Sequence, residues 1–255
     1  MILIPKESTK LKSEIRSAIK RMPHGDEKRV AMRQFIEEAE KLKGEKFDFI
    51  AYPAFSGLIP AILFRTIYGK ELPLFEYMTI SSLGKDTIAT ERKDYHVSFS
   101  RKAEPIIEGM RKDLVSFAKR NGIDLATAKV LLIDANIAKG ITVSYFVSVL
   151  EKIGANPKNL TLAITDSRAS GEKLKRASKN LLRGGKLVLF NQQNMTNKVF
   201  DTVLTVSAYK KDSKTFKTFD GERIRYDRKQ ISFHPYFLAL ALFKEEIAHG
   251  RVESR

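Results

Sequence analysis

The sequence predicts an α/β fold, a central and mainly parallel sheet flanked by helices, with extensions at the N- and C-terminus. Two observations carry this. Short apolar runs alternate with amphipathic stretches from about residue 47 to 206, as in chains that build parallel sheets covered on both faces. The runs are also bounded by Gly, Pro and Asn at the points where a turn is needed. The reading is one domain over residues 1–255, with a core at about 45–206 and variable extensions at 1–44 and 207–255.

Taken in order, residues 7–43 read as two helices. Leu11, Ile15, Ala18 and Ile19 recur at helical spacing, Met22-Pro23-His24-Gly25-Asp26 interrupts them, and Val30, Phe35, Ile36 and Ala39 resume the pattern. Phe47 to Ala51 is a short apolar strand, a turn follows at 52–57, and Leu58 to Tyr68 is a helix. Leu74 to Ile80 is the next strand. Residues 81–100 are polar and charged and read as a loop, with a hairpin at Tyr95 to Phe99. Ile107, Met110, Leu114, Phe117 and Ala118 mark a helix over 106–121 that stops at Asn121-Gly122. A strand at 129–134, a helix from Thr142 to Ile153, a strand at 160–165 and a basic helix at 170–183 come next. Strands at 187–190 and 199–206 and a helix at 235–249 complete the series.

Hydrophobic residues make up 43% of the chain, ample for a packed core, so a disordered protein is excluded. No run is long and apolar enough to span a membrane, and Met1 to Lys6 lacks a signal-peptide hydrophobic region, so the expected location is cytoplasmic. The absence of cysteine excludes disulfides, thiolate nucleophiles and zinc–thiolate sites. Four histidines, none in an HxxxH spacing, argue against zinc altogether.

A net charge of +16 points to anionic partners, phosphorylated small molecules or nucleic acid. The excess is concentrated at 168–186, where seven basic residues face a single acidic one, Glu172. That run fits a polyanion face or a solvated helix face. Aromatics Phe216, Phe219, Tyr226 and Phe233 interleave with basic residues, which suits single-stranded nucleic acid or a hairpin with one face packed inward.

Val130 to Thr142 is the most informative stretch. It reads as a buried strand, a tight turn with Gly140, and a helix start. Free helix N–H groups, the Lys139 charge and the Thr142 hydroxyl together suit one phosphate monoester. Asp134, at the strand end, is placed to hold a sugar hydroxyl or a hydrated metal. Neither the P-loop pattern nor the dinucleotide-binding Gly pattern occurs, and an ordinary strand-to-helix turn is the alternative.

The segment Ile133-Asp134-Ala135-Asn136-Ile137-Ala138-Lys139-Gly140-Ile141-Thr142 resembles the phosphoribosyl-diphosphate (PRPP) loop of type I phosphoribosyltransferases, in a degenerate form. Residues 48–60 resemble the first strand, pyrophosphate loop and helix of that family, and 81–100 stands where its catalytic loop lies. The resemblance implies a five-stranded parallel core with a variable hood formed by 1–44 and 207–255, a homodimer, and displacement of pyrophosphate from PRPP by a nitrogenous base with Mg2+. It implies that Asp134 serves the ribose hydroxyls and, through water, the metal. Ala138, Lys139, Gly140, Ile141 and Thr142 would hold the 5′-phosphate, Ser56 and Gly57 the pyrophosphate, and Lys85, Arg92 and Lys93 would close over it. The segment departs from the family at Ala135, where a second acidic residue is usual, and at Lys139 and Ile141. Losing one carboxylate from a sugar diol removes about 1.5–3 kcal/mol. A non-catalytic sensor of a phosphorylated metabolite, or a nucleic-acid binder using the basic surface, is therefore the alternative to an enzyme.

Overall fold

The computed structural model describes residues 6–54, 56–69, 71–77, 89–92, 96–136, 140–166, 179–189, 217–219, 224–226 and 233–253. Helices α1 (Thr9–Lys20) and α2 (Glu27–Leu42) lead into β1 (Phe49–Pro53), α3 (Leu58–Tyr68) and β2 (Leu74–Tyr77). A ribbon of β3 (Ala89–Arg92) and β4 (His96–Phe99) precedes α4 (Glu104–Asn121), β5 (Val130–Asn136), α5 (Ile141–Lys152), β6 (Leu160–Asp166) and β7 (Lys186–Leu189). A small hairpin, β8 (Lys217–Phe219) and β9 (Ile224–Tyr226), comes before the closing helix α6 (His234–Glu253).

Five of these strands form one parallel sheet in the order β2-β1-β5-β6-β7. The chain moves outward from β1 to β2, returns past β1 to β5, and then runs outward the other way. Right-handed crossovers therefore put α3 on one face and α4 and α5 on the other. Packing follows that division. Ile50, Tyr52, Leu131 and Ile133 share a cluster with Leu63 and Phe64 of α3, while Phe49, Ala51, Val130 and Leu132 share one with Leu114, Phe117, Phe146 and Leu150.

One crossover helix is too narrow to cover a five-stranded sheet, and the two ends of the chain complete that face. Ile15 and Ile19 of α1, Met32 and Phe35 of α2, and Leu242 and Phe243 of α6 lie in the α3 cluster. A buried guanidinium ties these helices together. Arg29 donates to Glu246 at 2.5 Å, to Glu245 at 2.9 Å and to the carbonyls of Ile19 and Met22 at 3.1 and 3.3 Å. Burial pulls its pKa down, but the hydrogen bonds and charges of Glu245 and Glu246 more than offset this and hold it above its ordinary value.

Element types follow the sequence, with shifts that have local causes. β1 begins at Phe49 rather than Phe47. Ahead of it, the Asp48 N–H donates to Lys129 O at 2.9 Å, and the Asp48 carboxylate accepts from Lys129 N at 2.7 Å. The stretch 81–100, expected to be mostly loop, carries the antiparallel pair β3–β4. Val97 and Phe99 lean on the α4/α5 cluster while Ser98 is exposed, an alternation too short to stand out among the surrounding charges. The expected strand at 199–206 and most of the basic helix at 170–183 lie outside the described residues; 179–182 are helical.

Candidate functional site

The strand order reverses direction between β1 and β5, which makes that junction the topological switch point of the sheet. In open α/β sheets the crevice at the carboxyl ends of the two switch strands is where ligands bind. The register shows the crevice directly. The β1–β5 ladder ends at Ala51–Leu132, whereas β1 stays paired to β2 as far as Pro53–Tyr77 and β5 to β6 as far as Asn136–Asp166. Outward from Leu132, β1 and β5 part company.

Two helix N-termini open onto this gap. On the β1 side the chain turns tightly, with Ser56 N donating to Ala54 O at 3.1 Å and Gly57 N to Pro53 O at 3.0 Å. Those two amides are therefore engaged, and what Ser56 offers a ligand is its half-buried hydroxyl. Gly57 serves close packing. A Cβ there would stand 2.6 Å from Ile133 O, 2.7 Å from Tyr52 Cβ and 2.8 Å from Pro53 Cδ, so only a glycine lets α3 start hard against β5. The amides on this side that precede the first helical bond, Ala61 N to Gly57 O at 3.0 Å, are those of Leu58 and Ile59.

On the β5 side, Gly140 caps α5 in the left-handed region, φ 71°. That conformation is natural to glycine and strained for other residues. The first helical bond is Ser144 N to Gly140 O at 2.8 Å, so the amides of Ile141, Thr142 and Val143 come before it, and among the described residues no side-chain cap is made at Gly140. Ile141 is buried in the α4/α5 cluster, so its contribution to a phosphate is its N–H. Thr142 is half-buried and keeps its hydroxyl at the helix start. Asp134 is buried, 3% exposed, at the strand end.

Of the other expected residues, Arg92 lies on β3 opposite His96. Lys85, Lys93, Ala138 and Lys139 lie outside the described residues, as do the basic residues at 168–178. Among the described residues no cluster of three carboxylate or histidine side chains is arranged to hold a metal, and no helix is long and apolar enough to cross a membrane.

Local patterning does not single out Tyr77. Its strand partner is Pro53, and Asp134 lies two residues beyond Leu132, where the β1–β5 ladder ends. By alternation Tyr77 and Asp134 share the α4/α5 face, on which Phe75, Ala51 and Leu132 form the last fully paired row. Burial pushes the Tyr77 phenol well above its ordinary pKa, and the charge of Asp134 and the neighbouring Tyr145 add to the shift. Its one sequence signal was a hydroxyl at the carboxyl end of a strand next to the switch point.

No protein-family model matches the chain, and no curated protein matches it significantly. Among solved structures, a hypothetical protein from Neisseria gonorrhoeae with bound ppGpp is 14% identical, at a TM-score of 0.34, over 63% of this chain and 77% of that one. A purine phosphoribosyltransferase from Pyrococcus horikoshii is 18% identical, at a TM-score of 0.33, over 65% and 91%. An adenine phosphoribosyltransferase from Saccharomyces cerevisiae is 14% identical, at a TM-score of 0.35, over 70% and 79%. The fold described above rests on strand order and register rather than on these likenesses.

Proposed function

We propose that the gap between β1 and β5 binds a phosphorylated sugar or nucleotide, with PRPP the first candidate, and that the chain transfers a phosphoribosyl group to or from a nitrogenous base. The single observation that carries this is the parting of β1 and β5 at the switch point, with a buried carboxylate and an uncapped helix N-terminus on one strand's exit. Anions are held at such helix starts by N–H groups and the helix dipole.

In this reading the amides of residues 138–142, the Lys139 ammonium and the Thr142 hydroxyl hold the 5′-phosphate, and Asp134 accepts from sugar hydroxyls. The Ser56 hydroxyl and the Leu58 and Ile59 amides serve the pyrophosphate. Loss of pyrophosphate leaves positive charge on the sugar and negative charge on the departing group, so fixed donors aimed at the latter are the main aid the chain can give. Lys85, Arg92 and Lys93 are the cations proposed to add to them. Magnesium characteristically binds through one or two carboxylates plus substrate phosphates rather than in an all-protein cage, so the single carboxylate of Asp134 fits a metal delivered with PRPP. When bound, the ion would neutralise charge on the departing pyrophosphate.

Ala135 favours a second reading, a non-catalytic binder that senses a phosphorylated metabolite, because it withholds the second carboxylate that would grip the sugar. Calorimetry with PRPP, ribose 5-phosphate and a short oligonucleotide, with and without Mg2+, tests the site. Binding of a sugar phosphate that weakens roughly 10- to 100-fold in the Lys139→Ala/Thr142→Ala variant is expected from lost charge-assisted hydrogen bonds. Absence of sugar-phosphate binding, or full affinity in the double variant, sinks the phosphate-loop reading. Turnover of PRPP to pyrophosphate separates enzyme from sensor, and oligonucleotide binding that falls steeply with salt would move the function to nucleic acid.

A further inference from the structure

Tyr77 and Tyr145 sit in the same aromatic cluster, but their hydroxyls are treated differently. Tyr145 donates to Ile106 O at 3.2 Å. The Tyr77 ring, 2% exposed, stacks on Phe146 with centroids 5.0 Å apart and lies 6.3 Å from Tyr145, yet its hydroxyl finds no hydrogen-bond partner among the described residues. A buried hydroxyl without a partner destabilises the folded chain, and a phenylalanine would fill the same space without that loss. Packing alone therefore leaves the oxygen unexplained.

Its place in the sheet suggests what the oxygen is for. Tyr77, opposite Pro53 on β2, and Asp134, two residues past the end of the β1–β5 ladder, lie on one face of the sheet on either side of β1, and the charge of Asp134 acts on the Tyr77 phenol. Asp134 stands where β1 and β5 separate, and the Tyr77 ring packs on Phe146 of α5. A neutral phenol is a donor, and an ionised carboxylate is an acceptor. Together they complement a diol, whose oxygens both donate and accept.

We propose that Tyr77 is a sugar-binding residue of this site, its hydroxyl donating to one oxygen of a ribose-type diol whose other hydroxyl donates to Asp134. The inference rests on the sugar-phosphate reading of the site and deepens it. Tyr77 supplies from β2 a polar contact that Ala135 does not supply from β5.

The test is calorimetry of wild type and Tyr77→Phe with ribose 5-phosphate, 2-deoxyribose 5-phosphate and inorganic phosphate, alongside thermal melts. Tyr77→Phe should bind ribose 5-phosphate roughly five- to tenfold more weakly, the worth of one neutral hydrogen bond. Its affinity for inorganic phosphate should be unchanged, its discrimination against the deoxy sugar reduced, and its melting temperature equal to or above that of wild type. Equal affinity of variant and wild type for ribose 5-phosphate overturns the role of Tyr77 alone. So does a parallel loss for inorganic phosphate with a lower melting temperature, which would mark a structural residue. A wild type that binds neither sugar phosphate nor phosphate overturns the site and this inference together.

Discussion

Gly57→Ala adds one methyl group at the point where α3 begins against β5. The new carbon would stand 2.6 Å from Ile133 O, 2.7 Å from Tyr52 Cβ and 2.8 Å from Pro53 Cδ, against ordinary contacts of about 3.3 Å to oxygen and 3.5–4.0 Å to carbon. None of the three atoms can swing away, since one is a strand carbonyl, one a β-carbon and one a proline ring carbon. The first turn of α3 must therefore shift off the strand, and overpacking of this kind destabilises by about 1–3 kcal/mol. An opposite effect exists: φ at Gly57 is −97°, which alanine adopts freely, and alanine narrows the unfolded ensemble, a gain of about 0.4–1 kcal/mol. The clash outweighs it, leaving a net loss of about 1–2 kcal/mol, which for a chain of this size lowers the melting temperature by roughly 2–8 °C. Scanning calorimetry with a urea titration reads this out. Pyrophosphate affinity should fall as well, because the α3 amides move with the helix. A melting temperature that is unchanged or raised would refute the close approach of α3 to β5, since without the clash the substitution is stabilising.

Arg29→Met removes the cation that joins α1, α2 and α6, leaving Glu246, 6% exposed, with Arg33 as its ion-pair partner at 3.3 Å. Breaking a buried ion pair from one side destabilises by about 3–5 kcal/mol, and the retained Arg33 contact places the expected loss near the lower end; a change below about 1 kcal/mol in urea unfolding would contradict the packing of α6 onto α2. Alkaline pH gives a separate check through Tyr52, Tyr77 and Tyr145, each with its pKa raised, first by burial. Unfolded tyrosines ionise near pH 10 while the folded ones hold their protons higher, so above about pH 10 the native state binds more protons and stability falls as pH rises. The slope is about 1.4 kcal/mol per pH unit for each tyrosine, and these groups contribute no pH dependence below about pH 9. Urea midpoints should drop steeply once pH passes 10, with part of the tyrosinate absorbance of the chain's eight tyrosines appearing only on unfolding and a shallower slope in Tyr77→Phe. Full tyrosinate absorbance before unfolding would show that the three phenols are not held in the folded core.

Most elements were legible because their signals are local. Asn121-Gly122 stops α4, Leu58 to Tyr68 repeats at helical spacing, and the apolar run ending at Asp134 announces β5. The candidate phosphate loop was legible for the same reason, since Gly140 and Thr142 stand at fixed offsets from a strand end. Local patterning was silent where a residue acts through a distant neighbour. Gly57 read as a pyrophosphate contact, but its amide bonds Pro53 O and its missing side chain makes room for Ile133, seventy-six positions on. The terminal stretches 1–44 and 207–255 read as extensions, whereas α1, α2 and α6 cover a face that only one crossover helix reaches.

Hydrophobic period and turn chemistry, set within a few residues, fix the alternation of strands and helices and the position of an acidic strand end followed by a glycine turn. The return of β5 to lie beside β1 is a matter of tertiary packing. The hand of the crossovers and the need to bury both sheet faces act between segments eighty residues apart, and they are what part the two strands and bring Asp134 and two helix N-termini to one gap.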